Sequence, residues 1–305
     1  MPALTETNAP VRPTVWIGLV PALVVCLAAP AFFVLRITWL GWALLALGML
    51  LAWLLRGPLA EGAKQRFPEV RAGPRYETAT IISGKRPSLI RDLSLIAVGM
   101  LIVSVIPLKA ELDNWAMVRF TLALGGAVVV PYVISRYVYR DYAIRFPWRG
   151  GGRWTTFQWS WLVAVLILGW LILPFYFITS GVYTNWPVVN TPELIARLFA
   201  GVGAVGIWDE LFFICTVFVL LRRHFPIWVA NGLQAIVFVS FLWELGYQAW
   251  GPFLTIPFAL LQGYVFLRTR SLAYVVTVHL LFDAVVFLVL VHAHNPGVLD
   301  GLFLV

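Results

Sequence analysis

The chain has little charge. Of its 305 residues only 12% are Asp, Glu, Lys or Arg, while 61% are hydrophobic, and the mean hydropathy is +0.87. A soluble domain carries roughly a quarter of its residues charged, so a water-soluble enzyme and a disordered chain are both excluded. Cysteine is as scarce: Cys26 and Cys215 are the only two, and both sit inside apolar runs. That excludes a secreted disulfide scaffold and predicts two buried free thiols. Val24-Val25 before Cys26 lacks the small residue expected ahead of a lipoprotein cysteine. His-Glu-x-x-His is missing, which argues against a zincin-type site, and so is Gly-x-Ser-x-Gly. Residues 1–14 hold too few basic side chains for a signal peptide, so the first apolar run is expected to be retained. There is no clear internal repeat and no low-complexity tract.

Apolar runs and aromatics are abundant. Fifteen Trp, 10 Tyr and 21 Phe suit the interfacial belts of a membrane protein. A bilayer core of about 30 Å takes about 20 helical residues. On that rule nine spans are expected near 15–35, 37–55, 92–108, 116–135, 159–179, 195–221, 227–245, 253–267 and 271–291. The expected fold class is an all-α, polytopic transmembrane helical bundle. Residues 1–190 would supply about five spans and two basic loops, 191–292 four spans, and 293–305 a short extracytoplasmic tail. With the N-terminus placed inside, 18 of the 22 Lys and Arg residues fall on the inner side, which predicts an inner-membrane protein with a cytoplasmic N-terminus. The net charge of +8 is then a topology signal that suits lipid headgroups, with no nucleic acid required. The loops at 56–91 and 136–158 are expected to be surface connections. Asn190-Thr191-Pro192-Glu193 predicts a helix start, with a capping hydroxyl, Pro at the first position and an acid in the first turn.

The chain has 14 acidic residues, and four interrupt apolar segments: Asp209, Glu210, Glu244 and Asp283. His279 is a fifth ionisable group in such a place. A charge at the bilayer centre costs at least about 2.5–3.5 kcal/mol, so these residues usually face a bundle interior and carry function. His279 and Asp283 are four apart and share a helix face. Asp209 and Glu210 diverge by about 100°, so at most one should point squarely at a given partner. Glu244 lies nearer the outer end of its segment, where it would reach the others only if that helix tilts, and an interfacial position is the simpler reading. Carboxylates beside an imidazole can activate water, and all five residues are also candidate ligands for a divalent metal such as zinc. The simpler reading of Cys215 is a buried thiol, of Gln262 a helix–helix hydrogen bond, and of His292 and His294 solvent exposure after the last span.

Three segments, in order, resemble the CPBP family of intramembrane proteases (CAAX proteases and bacteriocin-processing enzymes, also called the Abi family). Trp208-Asp209-Glu210-Leu211-Phe212-Phe213-Ile214 looks like the family's Glu-Glu-x-x-x-Arg motif, with Asp209 for the first Glu and Ile214 for the Arg. Phe241-Leu242-Trp243-Glu244-Leu245 looks like its second motif, with Glu244 for the His. Gly263 to Leu272, running on to His279-Leu280-Leu281-Phe282-Asp283, looks like its last two helices and His-x-x-x-Asn/Asp motif. The resemblance covers about residues 190–292 and makes 191–292 a CPBP-like core. It implies an intramembrane endopeptidase acting on a peptide or membrane-protein substrate. Asp209 or Glu210 would then be the base, Glu244 an acid or ligand, and His279 with Asp283 a polarising pair. Four carboxylates around one His make a more anionic site than the family's, which calls for shared protons or a bound cation. Two other readings stand beside hydrolysis: a proton- or cation-coupled transporter, and a non-catalytic immunity or scaffold protein on the same fold.

Overall fold

The computed structural model describes residues 13–57, 87–150 and 152–305. Most of the expected basic loop at 56–91, from 58 to 86, lies outside the described residues. Among the described residues nine principal helices follow one another: α1 (Pro13–Cys26), α2 (Thr38–Leu54), α3 (Leu89–Val103), α4 (Asn114–Val133), α5 (Thr156–Pro174), α6 (Pro192–Asp209), α7 (Ile227–Leu245), α8 (Pro252–Thr269) and α9 (Leu272–His294). They occupy the nine expected stretches. Six segments, containing α1, α4, α5, α6, α7 and α9, are long and apolar enough to cross a membrane by length and composition. The other three differ for physical reasons. With 15 residues, α3 spans about 22 Å at 1.5 Å per residue, short of a core about 30 Å thick. The 17 residues of α2 fall just short, and α8 is diluted by Thr255, Gln262 and Arg268.

The helix starts are written in side chains. Asp113 accepts from Trp115 N and Ala116 N at 2.9 and 3.0 Å. These backbone donors, Ala116 first, hold its carboxyl below the usual range. Thr155 and Gln158 close a reciprocal capping box at α5. Thr191 caps α6 through Leu194 N, with Pro192 first and Glu193 in the first turn, as its tetrapeptide predicts. Four segments widen into π-helix: Pro30–Val34, Ile134–Tyr139, Phe175–Thr179 and Glu210–Phe218. The first three contain or follow a proline (Pro30, Pro131, Pro174), which lacks an N–H and crowds the preceding turn. The fourth, which prolongs α6 to a last turn at Val219–Arg222, is nine residues long and contains no proline.

Neighbouring helices pair α1 with α2, α3 with α4 and α7 with α8, while α9 packs on both α5 and α6. One apolar core runs from Ala22 to Phe303. The segment containing α6 is 78% buried and that containing α4 only 28%, so α6 is central and α4 peripheral. Cys26 and Cys215 are buried free thiols.

Two expectations are corrected here. The loop at 136–158 is more than a surface connection. Asp141 is buried and accepts from Ser135 Oγ at 2.9 Å, and Pro147 and Trp148 carbonyls accept from the first residues of α9. Arg223, after α6, reaches Asp92 of α3 at 2.7 Å and Asp141 at 3.4 Å, while His224 Nε2 lies 2.6 Å from the second Asp92 oxygen. His292 and His294 are half-buried rather than exposed, because the C-terminal tail folds back. His292 Nδ1 is 2.9 Å from Val298 O, and Leu302 O accepts from Trp170 Nε1 of α5 at 2.7 Å.

Candidate active site

The ring of His279, on α9, is buried where α6, α8 and α9 meet, with its two nitrogens facing opposite ways. Nδ1 lies 2.8 Å from Glu210 Oε1. Nε2 lies 3.5 Å from Asp209 Oδ2 and 3.9 Å from Asp283 Oδ1. Asp209, Glu210, His279 and Asp283 are each no more than 6% exposed. The expectation that only one of the adjacent acids could face a given partner is corrected. An imidazole offers two nitrogens on opposite edges, and the backbone changes from α to π winding at Glu210, where the wider i→i+5 turn rotates less per residue. Since no proline accounts for that widening, it is best read as part of the site; π segments often coincide with functional positions.

Glu210 is held from behind. Gln262 Nε2 of α8 donates to the same Oε1 at 2.7 Å and to Val275 O at 3.2 Å. Gln262 does make a helix–helix bond, but its partner is a site carboxylate, which a lone glutamine in an apolar run does not announce. Glycine makes room on the other side: a Cβ at Gly206 would overlap Asp283 Oδ2, so α6 lies close against α9 only because that position is bare. Trp208 ties α6 to α4, donating to Leu124 O at 2.7 Å, and stacks on Phe212 at 5.0 Å. The edge of Phe258 meets the His279 ring at 5.0 Å.

Asp209, His279 and Asp283 line one end of a largely apolar cavity of about 340 Å³. Its other end lies beside Glu111 and Arg197, which is about 18 Å from Asp209 along α6 at 1.5 Å per residue. Leu124, Val202 and Val205 are among its walls, and Glu210 and Gln262 are not. Asp209 Oδ1 and Glu210 Oε2 are buried without a hydrogen-bond partner among the described residues. Buried polar atoms are rarely left so.

Glu244 does not join this group. It sits in the last turn of α7 and accepts from Leu108 N at 3.4 Å, with Arg36 as its neighbouring cation. Among the described residues no hydrogen bond or ion pair links it to the other four. The side chain that α7 turns toward the ring is Phe238, 6.3 Å from His279. The tilt that would have brought Glu244 in is absent, and its expected part as acid or ligand loses its geometry. Ile214, at the position of the family's Arg, is 2% exposed among apolar neighbours. Cys215 is buried and does not line the cavity.

The divalent-metal expectation was tested on the donor set. Among the described residues no group of three or more His, Cys, Asp or Glu side chains is arranged to hold a metal ion. One ring nitrogen is already engaged by Glu210, so the residues do not fit a resident metal and no step is routed through one.

The four converging residues fall within one matched segment. Residues 190–285 match the family model described as type II CAAX prenyl endopeptidase, Rce1-like, in agreement with the CPBP resemblance of the same stretch. No curated protein and no solved structure matches the chain.

Proposed function

We propose that this protein is an intramembrane endopeptidase of the CPBP type, in which His279 and Asp209 activate the attacking water. The observation that supports this most is the division of the imidazole. One nitrogen is engaged by Glu210, away from the cavity, and the other faces Asp209 and Asp283 at the cavity's end. In this reading Nδ1–H donates to Glu210, which fixes the tautomer and leaves the Nε2 lone pair free. A water between Nε2 and Asp209 gives a proton to Nε2 while its oxygen attacks the scissile carbonyl carbon. The C–N bond then breaks and the proton passes from Nε2 to the leaving nitrogen. Asp283 stabilises the imidazolium between these steps. Glu210 and Gln262 are positioning residues, since neither lines the cavity.

The apolar walls suit a peptide held within the bilayer. The lysine and arginine distribution favours a cytoplasmic N-terminus in the cell's inner membrane. Reporter fusions at residues 150 and 305 should therefore report opposite sides, and the same side for both would overturn the nine-span topology. For activity, purified protein in lipid nanodiscs should cut at least one of a panel of single-span fluorogenic peptides, made with and without a C-terminal prenyl group. A strong chelator should leave the rate unchanged. Loss with chelator and rescue by a divalent cation would instead give the site a metal. Failure to cut any peptide, together with a proton-coupled flux abolished by Glu210→Gln, would replace the protease reading with a transporter.

A further inference from the structure

Every charged group at the active end of the cavity is suited to taking a proton or balancing one. Hydrolysis also needs a donor for the carbonyl oxygen as it becomes an oxyanion, and Asp209 and Asp283 as carboxylates cannot donate. Resting on the endopeptidase reading, we infer that Tyr247 supplies that donor and is a catalytic residue of the reaction. The motivation is its place in the fold. Tyr247 lies just after α7, 8% exposed, and lines the same cavity as Asp209, His279 and Asp283. Its phenol is near enough to the Asp283 and Asp209 carboxylates to interact with both.

The backbone is shaped to put it there. Gly246 ends α7 at φ +135°, a conformation open to glycine and strained for other residues. The Trp186 ring packs against that glycine, so a Cβ would lie 2.7 Å from it. The turned chain brings Tyr247 edge-on to Trp186 at 5.2 Å and to Phe177 at 5.7 Å. The ring is thus held on two sides by aromatics. Among the described residues no group accepts a hydrogen bond from its hydroxyl. A buried phenol normally finds a partner, and an unengaged one at a cavity wall beside the reacting groups is a donor waiting for an acceptor. In the reaction it donates a hydrogen bond to the carbonyl oxygen while water adds to the carbon, and it keeps its own proton throughout. The C–N bond breaks and the leaving nitrogen is protonated from His279 as above.

The test compares wild type, Tyr247→Phe and Glu210→Gln on whichever peptide of the panel wild type cuts. Tyr247→Phe keeps the ring contacts and removes only the hydroxyl. Its kcat should fall by about 10²–10³-fold, the scale of one lost oxyanion donor, with KM and Tm unchanged. A phosphinic analogue of the cut peptide, which mimics the tetrahedral state, should bind the variant more weakly by a similar factor. Wild-type kcat in Tyr247→Phe, or equal binding of the analogue, would overturn the inference and leave the endopeptidase reading intact. If Tyr247→Phe lowers Tm, the analogue comparison on the folded fraction decides. If wild type cuts nothing in the panel, the endopeptidase reading fails and this inference falls with it.

Discussion

Two buried charge clusters in this protein are built to opposite plans. Where α3, the loop after α4 and the turn after α6 meet, every carboxylate oxygen has a partner. Asp92 is held by Arg223 and His224, and Asp141 by Arg223, Ser135 and the Ala143 N–H. Around His279 three carboxylates crowd one imidazole with no Lys or Arg in contact among the described residues, and Asp209 Oδ1 and Glu210 Oε2 have no partner at all. The first cluster satisfies its members and joins three elements. The second leaves polar capacity unused beside a cavity. Burial of charge alone does not mark a site, since both clusters are buried; incomplete pairing next to open space distinguishes them.

The comparison predicts opposite responses to mutation. Arg223→Met should have the largest effect on stability. It leaves Asp92 and Asp141 buried without their cation, and breaking such a pair costs about 3–5 kcal/mol. Denaturation of the detergent-solubilised protein would register this, and a loss below about 1 kcal/mol would erase the contrast. Gly206→Ala should act chiefly on function. The new methyl displaces Asp283, and a shift of about 1 Å at a reacting group can cost about 10²-fold in rate. An unchanged rate would show that Asp283 does not need its present position. The smallest effect is expected for Gln262→Leu. It deletes one donor to a carboxylate, worth about 1.5–3 kcal/mol, and since Glu210 keeps His279, turnover should fall about tenfold. A fall as large as that of a reacting group would place Gln262 among the reacting groups.

Much of this was legible in the sequence, for identifiable reasons. Long apolar runs separated by basic loops mark helices strongly, so all nine appear where composition places them. Asp209, Glu210, His279 and Asp283 stand out because charge is rare within such runs. Their convergence follows from the four-residue spacing on α9 and from similar depths on two helices. What was hidden depends on tertiary contacts. Glu244 stands out for the same reason as the others, but it lies in a last turn, where the neighbouring Leu108 N–H and Arg36 take it. Gln262 and Tyr247 are ordinary residues for a helix and a loop, and only the folded chain gives them their neighbours. Asp92 and Asp141 sit at the edges of apolar runs, where solvent exposure is the natural expectation, and they are buried because Arg223 arrives from far along the chain. The π widening at Glu210 has no local sequence cue, since the proline that accompanies the other three is missing there.

The central claim is that the incompletely paired cluster is a hydrolytic site. Its most direct test is turnover of a cut membrane peptide by Glu210→Gln, a change that keeps the side chain's size and removes the acceptor of Nδ1–H. The account predicts a fall in kcat of about 10²-fold or more, with a Tm close to that of wild type. Wild-type turnover by a folded Glu210→Gln protein would contradict it.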